Sequence, residues 1–362
     1  MALNGFIDLR SDTLTVPTPA MREAMATAEV GDDVFGEDPT VNKLQDMAAE
    51  KLGHEAALLV TSGTMGNLTA LLAHCGRGEE AIVGDWSHVY INEAGGLAVV
   101  GGILPHVVPN QPDGSLRLED IEAAIRPDNA HFATTRVITL ENTHNRMGGA
   151  YLTPEYTRQV ADLAHARGLK LHIDGARIFN AAVAQNVDVR SLTQYADSVT
   201  FCLSKGLSGP VGSVLCGSKA FIRIAHKRRK VLGGGMRQAG VIAAAGIVAL
   251  EQMIERLRDD HANARVLAEG IAQVEGLHVN LEGVKTNMVY FDLDPALPFD
   301  AAELCKRAAA ERVKMLPTGP RRIRAVTHCY VSREEVIEAT QVIAHVTHYW
   351  QGQAADGRVQ AY

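Results

Sequence analysis

Phe201-Cys202-Leu203-Ser204-Lys205-Gly206-Leu207-Ser208-Gly209-Pro210 sets one lysine between an apolar run and a stretch of small, turn-forming residues. Val199, Phe201 and Leu203 read as a buried strand, and the residues from Ser204 onward read as the loop that ends it. Ligands of open α/β sheets sit at the carboxyl ends of strands. A partly desolvated amine there titrates lower than in water and can form an imine with a carbonyl compound. A lysine snorkelling out of a surface loop is the ordinary competing reading. The residues upstream decide between the two.

Short apolar runs recur ahead of this one: 56–60, 81–84, 103–108, 136–140 and 169–173, then 198–203 itself and 213–216. Helical spacing separates several of them, at 65–75, 118–125 and 154–166. Strands that are apolar throughout and alternate with helices predict a seven-stranded, mostly parallel sheet covered on both faces. The last two runs are joined by a glycine-rich loop with no room for a helix, so one antiparallel strand is expected there. Helices are expected over 219–232, 236–258 and 260–274, with Gly233-Gly234-Gly235 as a break. From residue 286 onward the pattern changes to a small α+β domain. The expected division is an N-terminal arm (1–16), a large domain (17–260), a small C-terminal domain (261–350) and a frayed tail (351–362).

With 46% hydrophobic and 21% charged residues, the 362-residue chain has the composition of a soluble globular protein. A net charge of −7 argues against a general nucleic-acid or anionic-membrane partner. The five cysteines are scattered and odd in number, and they read as reduced core residues of a cytoplasmic protein. No window approaches a membrane span.

Two further strand ends carry chemistry. Thr61-Ser62-Gly63-Thr64-Met65-Gly66-Asn67 follows a strand and opens a helix, where backbone amides and the helix dipole favour a phosphate. His172-Ile173-Asp174-Gly175-Ala176-Arg177 closes another strand. His172 and Asp174 share a face and are candidate metal ligands, but no third ligand with suitable spacing appears. A single carboxylate that keeps a heteroaromatic nitrogen protonated fits better. A cradle for an anion, an acid, and a lysine 31 residues beyond it describe pyridoxal 5′-phosphate, whose protonated ring is an electron sink. His88, after the strand ending at Asp85, is placed to stack on a flat ring or to act as base. Lys227-Arg228-Arg229-Lys230 reads as a solvated helix face, with Lys230 and Arg237 available to a phosphate. Arg322 and Arg324 alternate within a strand, and one of them is a candidate clamp for a carboxylate.

Several of these residues belong to longer strings: 8–13, 30–40, 62–64, Glu141-Asn142-Thr143-His144-Asn145, 172–180, 203–207 with 210–213, 233–240 and 324–328. Through them the chain resembles, from Ile7 to about His348, the low-specificity L-threonine aldolases of the aspartate-aminotransferase-like, fold type I, pyridoxal-phosphate enzymes. The resemblance implies reversible cleavage of L-threonine, L-allo-threonine and related β-hydroxy-α-amino acids to glycine and an aldehyde. It implies Lys205 as the Schiff-base lysine, Asp174 as partner of the ring nitrogen, and His88 stacked on the ring. Ser62, Gly63 and Thr64 would hold the phosphate, joined by Arg237 and Lys230 of a neighbouring subunit. Ser11, Arg177 and Arg324 would hold the substrate carboxylate. His131 would lie near the substrate side chain, and His88 or His131 would be the base. A homotetramer with active sites at dimer interfaces is also implied. Two positions depart from the family pattern: Phe35 replaces a common tyrosine, and Asn92 a common aromatic residue. The alternative is another fold type I enzyme acting on amino acids, a transaminase, racemase or β-eliminating lyase.

Overall fold

The computed structural model describes residues 5–355, with side chains as far as His348. The chain forms two compact units: Val16–Glu255, and the described residues up to Thr15 together with those from Arg256 onward. The first strand, β1 (Ile7–Asp8), belongs to the second unit.

The larger unit begins with α1 (Pro19–Thr27) and α2 (Pro39–Leu52). Each has a capping oxygen just ahead of a proline at the first helical position: Thr18 Oγ1 accepts from Met21 N–H, and Asp38 accepts from Thr40 and Val41 N–H. Then follow β2 (Ala56–Val60), α3 (Gly63–His74), β3 (Glu80–Gly84), α4 (His88–Ile91), β4 (Leu104–Val108), α5 (Leu118–Ala124) and β5 (Thr135–Glu141). The unit continues with α6 (Pro154–Ala166), β6 (Lys170–Asp174), α7 (Ile178–Gln185), α8 (Val189–Thr193), β7 (Ser198–Cys202), β8 (Ser213–Gly217), α9 (Lys219–Val231) and α10 (Gly240–Val248).

Seven strands form one sheet in the order β2-β8-β7-β6-β5-β3-β4. β8 runs antiparallel to β7 and β2, and the other pairings are parallel. The expected sheet and its one reversed strand are therefore present. Every residue of β3, β7 and β8 is buried, which requires cover on both faces. On one face Leu58, Val60 and Leu215 pack with Ala70 of α3 and with Phe221 and Ala225 of α9.

The helix expected over 236–258 starts later and is interrupted. Residues 236–239 are drawn into tertiary bonding: the Arg237 carbonyl accepts from Asp33 N–H at 3.0 Å. Gly240 N–H donates to Asp38 Oδ2 at 2.8 Å, so α10 begins at that residue. α10 then widens into a π-helical turn at Ala249–Met253, and α11 (Leu257–Ile271) starts in the other unit.

In the smaller unit β9 (Leu277–Val279), β10 (Met288–Leu293), β12 (Leu316–Pro317) and β13 (Arg322–Val326) form a four-stranded antiparallel sheet. The short β11 (Val313–Lys314) pairs in parallel with β1. Its core joins Leu9, Leu267, Ile271, Phe291 and Ile323 with residues of α12 (Ala301–Ala310) and α13 (Arg333–Ala355). The expected tail begins at 351, but α13 continues to Ala355, and 356–362 lie outside the described residues. Among the described residues no helix is long and apolar enough to cross a membrane.

The run Lys227–Lys230 is a solvated face only in part. Arg229 is 1% exposed. Its Nη1 donates to the Leu59 carbonyl at 2.7 Å and its Nη2 to Asp33 Oδ2 at 2.7 Å, while Gln45 Oε1 accepts from Leu59 N–H at 2.9 Å. Removing one partner of such a pair strands the other charge in the interior. Arg229→Ala is expected to destabilise the larger unit by about 3–5 kcal/mol in urea-unfolding curves. Arg229→Lys should recover only part of this, because an ammonium lacks the guanidinium fork.

Candidate active site

The parallel strands end at one rim of the sheet, so the segments that follow them gather there. β2 delivers Ser62-Gly63-Thr64, β3 delivers His88, β5 ends on Glu141, β6 ends on Asp174, and β7 leads into Lys205. β8 is reversed and contributes its first residue, Ser213, paired with Val60 and Cys202.

At the cradle, Ser62 caps α3 by accepting from Met65 N–H at 3.1 Å. The Gly63 and Thr64 amides have no acceptor among the described residues, which leaves two donors at the positive end of a 12-residue helix. The helix sits so close to the sheet that a Cβ at Gly63 would lie 2.9 Å from Cys202 Sγ, and one at Gly66 2.5 Å from Thr200 Cγ2. Glycine is what permits that approach.

Asp174 is 4% exposed. Its Oδ1 accepts from Ala176 N–H at 3.1 Å and its Oδ2 from Asn67 Nδ2 at 2.8 Å. The other Asn67 amide hydrogen goes to Glu93 Oε1 at 2.9 Å, and His88 Nδ1 lies 2.9 Å from that same oxygen. Carboxylate oxygens accept, so the amide nitrogen must face the acids, and Asn67 Oδ1 is left to accept from His172 Nε2 at 3.2 Å. His172 Nδ1 then accepts from Ser198 Oγ at 2.9 Å, and that hydroxyl accepts from His74 Nε2 at 2.8 Å. The bond directions run unbroken from His74 on α3 to the two acids. His88 itself is held by its backbone N–H, which donates to Glu141 Oε2 at 2.6 Å.

Burial pushes His172 down to about 4, against the pull of Asp174 and Ser198, so His172 is neutral at pH 7. Burial and the neighbouring His172 push His74 down to about 3. His88 moves the other way. Its hydrogen bond to Glu93 outweighs burial, Asp174 adds to the rise, and the nearby Lys205 ammonium opposes it. Burial raises the Glu93 carboxyl, opposed by His88 and Asn67. Lys205 is half-buried, and its side chain makes no hydrogen bond or ion pair among the described residues.

His88, Glu93 and Asp174 bring potential ligand atoms within 4.8 Å of one another. Asn67 donates into both carboxylates, so the group is a hydrogen-bonded network as it stands. His172, a candidate ligand by sequence, is not in it. Its two nitrogens are taken by Ser198 and Asn67.

Other candidates lie elsewhere. His131 is exposed in the turn before β5, at the opposite rim of the sheet, roughly 20 Å away by strand length. Within one chain it does not join His88. Arg237 pairs with Asp32 at 2.9 Å, and Lys230 is exposed at the end of α9. Arg177 is buried at the start of α7, three residues after Asp174. Asn92 ends α4 in solvent, and Phe35 is 72% exposed in the 3₁₀ turn Asp33–Phe35. Ser11 and Arg324 belong to the smaller unit, where Ser11 Oγ accepts from Thr13 and Arg324 Nη2 donates to the Arg10 carbonyl at 3.1 Å. Sequence reasoning gave no role to Asn67 or Glu93. The only local signal is a polar residue on the inward face of α3 and an acid five residues after His88.

The residues suit a phosphorylated pyridine aldehyde: free amides for its phosphate, a buried acid for its ring nitrogen and an unpartnered amine for its carbonyl. The sheet order is that of fold type I, the class of pyridoxal-phosphate enzymes to which the structural neighbours belong. The model of the β-eliminating lyase family matches residues 8–294, and the chain belongs to that family, among relatives named as threonine aldolases. It is 51% identical to the probable low-specificity L-threonine aldolase 2 of Arabidopsis thaliana, over 91% of this chain and 94% of that one. It is 48% identical to the low specificity L-threonine aldolase of Escherichia coli K12, over 94% and 98%. The Leishmania major threonine aldolase structure superposes with a TM-score of 0.79 at 19% identity, covering 94% of this chain and 99% of that one.

The neutral state of His172 ties stability to pH. Its pKa is depressed to about 4 in the folded chain and is about 6.5 unfolded, so the unfolded chain binds the extra proton between those values. Stability is expected to fall by about 3 kcal/mol as pH drops from 6.5 to 4. His172→Gln should flatten that slope in thermal melts recorded across the range.

Proposed function

We propose that the protein is a pyridoxal-phosphate-dependent aldolase that cleaves L-threonine and L-allo-threonine to glycine and acetaldehyde, reversibly. The observation that carries this reading is the meeting of Lys205, Asp174 and His88 at one rim of the sheet, in a chain whose named relatives are threonine aldolases. When bound, pyridoxal phosphate supplies the electron sink that takes up the pair left at Cα as the Cα–Cβ bond breaks.

The chain's own residues do the rest. Gly63 and Thr64 present their amides to the phosphate, helped by the dipole of α3. Asp174 keeps a proton on the ring nitrogen, and its place is fixed by Asn67 and the Ala176 amide. Lys205 offers the amine that anchors the carbonyl carbon, and its freedom from partners leaves it available. Arg177, buried three residues after Asp174, is assigned to the substrate carboxylate, where a guanidinium fork sets the orientation of the bond to be broken. His88, with Nε2 unbonded among the described residues, is assigned as the base that takes the β-hydroxyl proton, directly or through water. We also infer a homotetramer with shared active sites. The exposed Phe35, a large apolar side chain left in water by the single chain, supports this.

Three outcomes check the assignment. Lys205→Ala should abolish glycine release from threonine and leave no borohydride-trapped adduct. A base must be neutral to act, and His88 titrates above an ordinary imidazole. The cleavage rate should therefore rise with pH through a midpoint above about 6.5. His88→Ala should lower kcat by roughly 10²–10⁴-fold while cofactor absorbance is retained.

A further inference from the structure

Two donors converge on a single oxygen of Glu93. Asn67 Nδ2 and His88 Nδ1 both lie 2.9 Å from Oε1, and the Glu93 side chain is 6% exposed. A carboxylate oxygen that already receives an amide hydrogen can only accept from the imidazole as well, so His88 carries its proton on Nδ1 when neutral. Its Nε2 is then the nitrogen with the lone pair, and no hydrogen bond occupies it among the described residues. Free imidazoles favour no such arrangement by themselves. Here the Glu93 carboxylate imposes it, in the way a buried acid orients the histidine of a hydrolase triad.

The acid is itself tethered. Asn67 reaches Glu93 with one hydrogen and Asp174 with the other, and its carbonyl is held by neutral His172. The amide therefore cannot flip without placing its oxygen against a carboxylate. His88 and Asp174 are thus connected through two side chains, Glu93 and Asn67, although one opens α4 and the other ends β6.

We propose that Glu93 is the positioning residue of the active site, fixing His88 as the Nδ1-protonated tautomer with Nε2 free as base, and that Asn67 couples this setting to Asp174. The inference rests on the aldolase reading for its choice of reaction. The tautomer setting is a property of the chain alone.

Other groups face His88 too. Asp174 at the end of β6 favours its charge, and Lys205 after β7 opposes it. From β5, Glu141 accepts the His88 backbone N–H and stands 4.0 Å from His144. At the end of β3 the Asp85 carboxylate is taken by Asn110 N–H at 2.8 Å. From α3 the Asn67 amide, which does not titrate, meets the same Glu93 oxygen.

Glu93→Gln separates charge from geometry, because one amide oxygen at the place of Oε1 can still accept from both donors. In ring-¹⁵N-histidine-labelled holoenzyme, with His88 assigned by its loss in His88→Gln, the wild type should show protonated Nδ1 and bare Nε2 at high pH. Glu93→Gln should keep that tautomer and lower the His88 titration midpoint by about one unit or more, moving the acid limb of the kcat/KM profile equally. Glu93→Ala should shift the neutral ring toward protonated Nε2. An unmoved midpoint in Glu93→Gln, or a wild-type His88 protonated on Nε2, overturns the proposal even if threonine is cleaved. If the tautomer behaves as stated and threonine is not cleaved, the aldolase reading fails and the positioning role of Glu93 stands.

Discussion

Asn67 gives both hydrogens of its amide to carboxylates, one to Asp174 and one to Glu93, and the rest of the site is arranged around that fact. Burial and the nearby Asp174 charge push the Glu93 carboxyl up, and a buried carboxylate without donors is costly to keep ionised. A shared donor lowers that cost and fixes their spacing. It works only because α3 lies almost against the sheet, which glycine at 63 and 66 allows, so that the second turn of the helix reaches β6. A methyl group at Gly66 would meet Thr200 and push the helix away. The cradle at the start of α3 and the acid bridge one turn further on thus share one packing constraint.

The sheet supplies the second requirement. Parallel strands bring their carboxyl ends to one rim, so residues separated by more than a hundred positions meet without long connecting loops. Because β3, β7 and β8 are buried along their whole length, the strands cannot slide to accommodate a ligand. The floor beneath the site is rigid, and what variation the site permits must come from side chains on the loops above it.

This explains what could be read from the sequence. The seven strands are continuous apolar runs, and such runs mark themselves. Lys205, Asp174 and the Ser62-Gly63-Thr64 turn sit immediately after strands, where position along the chain already implies position at the rim. Asn67 lies inside α3 and Glu93 in the bend after α4, and their importance depends on partners 107 and 26 residues away, which no local pattern reveals. Arg229 was hidden for a different reason. In a run of four cations every charge looks alike, and only the packed structure shows which one turns inward to Asp33. His131 lies exposed at the far rim of the sheet within the single chain.

The bonds around Leu59 bear on how the molecule behaves in company. β2 is the last strand of the sheet, paired with β8 on one side only. An unpaired strand flank is an invitation to another extended chain. At Leu59 both backbone groups on that flank are already spoken for, the N–H by Gln45 and the carbonyl by Arg229. The side chains of two helices therefore act as a plug on the open margin, and a stray strand would have to displace a buried ion pair to continue the sheet.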